Sequence, residues 1–237
     1  MTSWQEDLYS IVDNAQSEHD IFKKVEAAAS ALGFTHCAYG LRIPLHFSNP
    51  KTIVLNNYAP AWQHRYAAMG YLQIDPTVAH GRRSQTPLTW SDNVFASART
   101  LWDEAQSFGL RFGWAQSSLD AGGGFGMLTL ARSSEPFSDA ERVAKEVKMR
   151  WLVHIAHLAL SRIFIAQQTK QIQPHLTARE VEVLKWTADG KTSAEISDLL
   201  VVSENTVNFH VKNAVAKLQT ANKTAATVRA AMLGLLG

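Results

Sequence analysis

Cysteine occurs once in this chain of 237 residues, as Cys37. A disulfide framework is therefore excluded, and a lone thiol fits a reducing compartment. Cys37 falls in a stretch, Phe34 to Arg42, whose aromatic and β-branched residues read as a strand, which makes it a small buried hydrophobe rather than a reactive thiol. Apolar runs long enough to span a bilayer are missing. The opening Met-Thr-Ser-Trp-Gln-Glu-Asp also lacks the basic and apolar regions of a signal peptide, so the reading is a cytoplasmic protein without a membrane partner. The glycine run Ala121-Gly-Gly-Gly has neither phosphate-loop spacing nor a following Lys-Ser/Thr, and is a turn. His154 and His157 are three apart, and Asp75 lies near His80, but no third ligand or nucleophile stands at a usable spacing. That argues against an enzyme and against a metal or other cofactor. A phosphorylated receiver is excluded as well, since the N-terminal half has no early Asp/Glu pair, central phosphoacceptor Asp and late Lys on a βα repeat.

Acid is missing where base is kept. From Lys170 onward there are eight Lys/Arg against six Asp/Glu, while the preceding residues hold fifteen of each, so the whole net charge of +2 belongs to the C-terminal end. From Asn205 onward there is no Asp or Glu, yet Lys212, Lys217, Lys223 and Arg229 are present. This balance suits a phosphate backbone, and its small size points to a dimer as the DNA-binding species.

The local chemistry of that end specifies short helices. Thr177-Ala-Arg-Glu180 and Thr192-Ser-Ala-Glu195 are both capping boxes, in which the threonine takes the N3 amide and the glutamate reaches back to the cap amide. The first helix stops at Gly190, the second ends near Leu200, and Ser203 caps a third that runs to about Leu218. Val207, Val211, Ala214 and Leu218 form one apolar stripe on the third helix, and Asn205, Phe209, Lys212 and Ala216 lie opposite, with Asn208 on the flank. This is a helix-turn-helix with a leading helix. Asn can bond adenine as a pair and Lys can reach guanine or phosphate, so Asn208 and Lys212 are candidates for base readout. Asn205, Thr206, His210 and Lys217 complete the expected DNA-facing set.

The run from Leu176 to Ile196, followed by Ser203-Glu-Asn-Thr-Val-Asn-Phe-His-Val-Lys-Asn, resembles the DNA-binding domain of LuxR-type regulators. Glu180, Leu184 and Gly190 fall at that family's signature positions.

Upstream, residues 4 to 31 read as two helices separated near Asn14 to Asp20, the second carrying Ile21, Phe22, Val25, Ala28 and Ala29 and ended by Gly33. Phe34 to Arg42 and Thr52 to Asn56 are expected strands joined by a Pro-bearing loop. A helix from about Pro60 to Met69, a turn at Asp75-Pro76 and a helix from Ser91 to Phe108 follow. Trp114 to Ser118 and Phe125 to Arg132 form an expected hairpin. Asp139 to about Gln168 is a long helix with Val143, Val147, Trp151, His154, Ile155, Leu158 and Ile163 on one wide face, which either covers its own sheet or contributes to a homodimer. The expected class is α+β: an N-terminal α-β-α sandwich with an antiparallel sheet, plus a C-terminal all-α four-helix helix-turn-helix domain. The expected division is a ligand-binding domain over 1–166, a linker over 167–174 and the DNA-binding domain over 175–237.

Trp62 and Tyr66 lie four apart on one helical face, Asp75 follows on a turn, and Trp90 opens another segment. These are either core aromatics beside a turn-capping aspartate, or the walls and single acid of a pocket for a small neutral ligand with an amide N–H and carbonyls. Asn57 to Tyr66, Tyr71 to Thr77, Pro87-Leu-Thr-Trp90 and Phe108 to Gly113 resemble the autoinducer-binding domain of LuxR-type quorum-sensing regulators. The resemblance implies an N-acyl-homoserine lactone ligand. Trp62 would donate to the lactone carbonyl, Asp75 would accept the amide N–H, and Tyr58 with Thr129 would bond the acyl carbonyl. Tyr66 and Trp90 would wall the pocket, with Leu101, Trp102, Ala105 and Leu110 nearby. Trp114-Ala-Gln-Ser-Ser, where many members have proline near Ser117, together with Tyr39 to Leu45 and Asn208 to Lys212, looks most like the CepR/SolR subgroup, whose signal is octanoyl-homoserine lactone. The partners implied are the autoinducer, double-stranded promoter DNA, a second copy of the chain and RNA polymerase. An ionised Asp75 in an empty apolar pocket is costly unless paired, so ligand is expected to stabilise the fold.

Overall fold

Ser17 starts the first helix of the computed structural model, which describes residues 17–43, 51–119, 124–169 and 175–237. The Asp20 amide donates to its Oγ at 3.2 Å, and α1 (Glu18–Ala31) buries Ile21, Phe22, Val25 and Ala29 along one face. Gly33, at φ +88°, turns the chain into β1 (His36–Ile43). Next come β2 (Lys51–Asn56), α2 (Pro60–Ala68), a 3-10 turn (Tyr71–Gln73), α3 (Pro76–Gly81) and the two-residue β3 (Leu88–Thr89). After α4 (Arg99–Ser107), β4 (Phe112–Leu119) and β5 (Phe125–Arg132), the unit closes with α5 (Asp139–Thr169). All pairings are antiparallel, in the order β2-β1-β5-β4-β3.

Alternation along these strands makes two working faces. Tyr39 points toward α5, where its hydroxyl meets His157 Nδ1 at 2.8 Å, and Gly126 lies so close beneath that a Cβ there would collide with both groups. The other face carries Ala38, Gly40, Met127 and Thr129, and α2, α3 and α4 stand over it with a cavity between.

The N-terminal helix expected before Asn14, the Pro-bearing loop 44–50 and the glycine turn at 121–123 lie outside the described residues. Ser91 to Ala98 is not helical, against expectation, because Asp92 is engaged from further along the chain. Its Oδ1 accepts from Trp102 Nε1 at 2.8 Å and from Arg99 at 3.2 Å, and helix α4 begins only at Arg99.

The wide apolar face expected on α5 is two faces. Met149, Leu152, Ile155, Ala156, Ala159 and Leu160 are buried, whereas Val143, Val147, His154 and Leu158 are exposed on the other side. His154 is exposed whereas His157 is buried against Tyr39, and the described residues contain no group of three metal-ligating side chains.

The boundary between two compact units falls at Phe164 and Ile165, while helix α5 itself continues to Thr169 through the first residues of the expected linker. The second unit holds α6 (Ala178–Ala188), α7 (Ser193–Leu200), α8 (Glu204–Lys217) and α9 (Lys223–Met232). Both capping boxes form, with Glu180 Oε2 accepting the Thr177 amide at 2.7 Å and Glu195 Oε2 the Thr192 amide at 2.8 Å. Ser203 and Asn222 cap α8 and α9. The helices meet over two small cores, one built on Val183, Ile196 and Val207 and the other on Leu184, Ala214, Leu218, Ala226 and Ala230. The architecture is the α+β sandwich and all-α four-helix unit that the pattern predicted. Among the described residues no helix is long and apolar enough to cross a membrane.

Candidate ligand cavity and DNA-facing helix

The cavity beneath α2 and α4 measures about 520 Å³. Its floor is a patch of register pairs, Ala38 opposite both Asn56 and Thr129, and Gly40 opposite both Val54 and Met127. Small residues at the centre leave the space open: a Cβ on Gly40 would meet nothing within 4 Å.

Nine of the residues expected at the site line this cavity: Tyr58, Trp62, Tyr66, Asp75, Trp90, Leu101, Ala105, Leu110 and Thr129. Trp62 and Tyr66 share a face of α2 and meet edge to face at 5.8 Å. Trp90 follows β3 and lies across β4 at Gly113, where any side chain would occupy the space of the indole. Trp102, expected nearby, does not line the cavity but packs against Trp90 and Phe95, which do. It stacks on Phe95 at 4.5 Å and gives its indole proton to Asp92, so it stands one layer behind the wall.

Asp75 ends the 3-10 turn and caps α3, its extended backbone set by Pro76. Thr77 donates to Oδ1 twice, from its amide at 2.8 Å and its hydroxyl at 2.7 Å, and the Tyr66 hydroxyl donates to Oδ2 at 2.9 Å. The carboxylate is thus already paired, contrary to the expectation that it stands uncompensated in the empty pocket. Burial, then the nearby Cys37 thiol and the Asp75 charge, raises the Tyr58 phenol above its ordinary range, and burial and Asp75 do the same for Tyr66. Both remain neutral donors. Cys37 itself is buried, and its thiol is pushed up to about 12, which leaves it inert.

Two supports escaped the sequence reading. Tyr58 is held from both sides, its amide donating to Asn56 Oδ1 at 3.1 Å and its carbonyl accepting from Gln63 Nε2 at 2.7 Å. An asparagine at a strand end, two residues before Tyr58, was the available signal for the first. Glu104 on α4 accepts from Arg65 on α2 at 2.6 and 2.8 Å and from Tyr71 at 2.9 Å, bracing the wall that carries Trp62, Leu101 and Ala105.

In the second unit α8 presents Asn205, Asn208, Phe209 and Lys212 to solvent. Asn208 Oδ1 accepts from Ser193 Oγ at 2.8 Å, and Thr206 is part of the Ser203 cap, its hydroxyl 2.9 Å from the serine oxygen. His210 is half-buried. Lys217, expected to face DNA, instead bonds both oxygens of buried Glu180 at 2.8 and 2.9 Å. Burial alone would raise the Glu180 carboxyl, but Lys217 and the Thr177 amide outweigh it and hold the group below its ordinary value.

Residues 17–160 match the family described as "Autoinducer binding domain", and residues 174–230 match "Bacterial regulatory proteins, luxR family". The chain belongs to the LuxR family. It is 48% identical over 238 residues to the transcriptional activator protein AnoR of Acinetobacter nosocomialis, covering 100% of both chains. It is 40% identical over 231 residues to the transcriptional activator protein SolR of Ralstonia nicotianae, with 98% of each chain covered. The crystal structure of Escherichia coli SdiA superposes with a TM-score of 0.85 at 33% identity, covering 99% of this chain and 98% of that one. SdiA in complex with octanoyl-rac-glycerol gives 0.82 at 34% identity, over 98% and 95%. As a LuxR-family quorum-sensing regulator with a sensor domain and a helix-turn-helix, the protein is not an enzyme. Its sensor match spans the cavity-lining residues, and its helix-turn-helix match spans α6 to α8 and most of α9.

Proposed function

We propose that this LuxR-family protein binds an N-acyl-homoserine lactone with an eight-carbon chain and, as a homodimer, binds promoter DNA to control transcription. One observation carries the ligand: a cavity of about 520 Å³, apolar but for a few placed groups, with a single carboxylate whose acceptor positions are not yet filled. An ionised carboxylate offers about four acceptor positions. Three are taken by Thr77 and Tyr66, which leaves one for the ligand's amide N–H. In this reading Trp62 donates to the lactone carbonyl, Tyr58 and Thr129 donate to the acyl carbonyl, and the chain lies over the open floor at Gly40.

The octanoyl length and a place beside CepR and SolR are supported by the 40% identity to SolR, although AnoR is more similar. The SdiA complex shows that a fold of this kind accepts an eight-carbon acyl ester. That complex also favours a second reading, a sensor of some other acylated small molecule. The homodimer is supported by the exposed apolar side of α5, and DNA binding by the acid-free outer face of α8. RNA polymerase is then a further partner at the promoter.

The deciding experiment is a thermal-shift series of the full chain with lactones of increasing acyl length, and with octanoyl glycerol alongside. The octanoyl lactone is expected to give the largest rise, since a ligand at 100 times its Kd adds about 2.7 kcal/mol. Asp75→Asn is expected to weaken that lactone roughly 10- to 100-fold, the worth of a hydrogen bond to a charged group. No shift with any lactone, or a shift with octanoyl glycerol alone, would overturn the lactone reading.

A further inference from the structure

We propose that Phe209 reads the 5-methyl group of a thymine in the major groove, a specificity-determining contact that rests on the DNA-binding reading above. The ring is 61% exposed, on a helix whose inner side is completely buried at Val207, Ala214 and Leu218. At about 100° per residue Phe209 falls among Asn205, Lys212 and Ala216, directly away from that inner stripe. Solvent alone gives no reason for a phenyl ring at the centre of a polar face, and burying it elsewhere would require a partner with an apolar contact of its own.

The surroundings select the partner. From Asn205 to the end of the chain there is no acid, and Lys212 stands one turn from the ring, so the surface that meets Phe209 must be negative overall and apolar at one point. A major groove lined by phosphates answers to this: its base edges are polar except for the thymine methyl, which phenylalanine can contact. An apolar groove on another protein, or on a second copy, would not call for a helix face without acid. Position along the helix agrees. Ser203 caps α8, so Phe209 lies in its second turn, in the half of a recognition helix that reaches base edges. Asn208, beside it, is steadied through Oδ1 by Ser193 on α7, and the ring itself, met at its edge by His210 at 5.6 Å, stays mostly open to solvent.

The test uses the full chain with octanoyl-homoserine lactone. Duplexes are selected from a random library, and each thymine in the selected half-site is then replaced singly by deoxyuridine, which removes only the methyl. At one thymine per half-site the replacement is expected to lower wild-type affinity about four-fold, the worth of one buried methyl at ~0.8 kcal/mol. Phe209→Ala, at an exposed position that leaves the fold intact, is expected to bind the thymine and uracil duplexes equally. If the wild type is indifferent to every replacement, or if Phe209→Ala keeps the full preference, the contact is disproved while the DNA-binding reading survives. If no duplex is selected at all, both fall.

Discussion

At the scale of single residues, the turn of the helix-turn-helix holds a valine where the backbone asks for something smaller. Val201 ends α7 at φ +53° and ψ +49°, in the left-handed region where a β-branched side chain crowds its own backbone, and at 90% exposure it has no packing to offset the strain. Val201→Gly is therefore expected to raise the stability of the C-terminal unit by roughly 0.5–1 kcal/mol, read as a melting temperature a few degrees higher. An unchanged or lower value would show that Val201 contributes something in the turn beyond its backbone. Residues of this kind also mark what the sequence could disclose. Thr177, Glu180, Thr192, Glu195 and Ser203 act on neighbours three residues away, so the caps were legible from spacing. Lys217 takes a partner 37 positions earlier and Asp92 one 10 positions later, and neither spacing belongs to any local rule. Spacing alone therefore points Lys217 toward DNA and the segment after Ser91 toward helix.

At the scale of elements, the cavity depends on a brace between helices that no motif announces. Hydrogen bonds from Arg65 on α2, then from Tyr71 in the 3-10 turn, hold the Glu104 carboxyl of α4 well below the ordinary range, at about 2. A depressed folded value means the carboxylate stabilises the fold above its unfolded value of about 4.5 and loses that contribution as the pH falls toward about 2. Glu104→Gln is thus expected to melt below the wild type at neutral pH, with the gap closing across that acid window. A gap that stays constant would remove the charge from the argument. Helix α5 makes a second element-level case. Val143, Val147, His154 and Leu158 fall within about 60° of one another on a helical projection, on the side away from the buried stripe. Sequence periodicity merged the two sides into one face because apolar residues populate both, and only packing against the sheet separates them. Since Val147 is 59% exposed, Val147→Glu should leave the sensor fold unchanged. It is expected to weaken self-association at least ten-fold by sedimentation, and undiminished dimerisation would remove this face from the interface.

At the scale of the whole molecule, the charge that the composition assigns to DNA is smaller than it looks. Of the four cations after Asn205, Lys217 is committed to Glu180, and Arg229 donates to the Leu218 and Gln219 carbonyls at 2.9 and 3.1 Å, steadying the end of α8. A single copy therefore brings few charges to the phosphates, and doubling the protein doubles the counterions displaced. This separates the two lysines of α8 by experiment. Lys212→Ala is expected to lower the magnitude of the slope of log K against log salt by about 0.9 per subunit, hence about 1.8 for a dimer. Lys217→Met should leave the slope unaltered and instead lower the stability of the C-terminal unit, on the order of 2 kcal/mol, because buried Glu180 keeps only its cap partner Thr177. The opposite pattern, a flat response for Lys212 and a reduced slope for Lys217, would place Lys217 on the phosphates and make its ion pair with Glu180 a contact released when DNA binds.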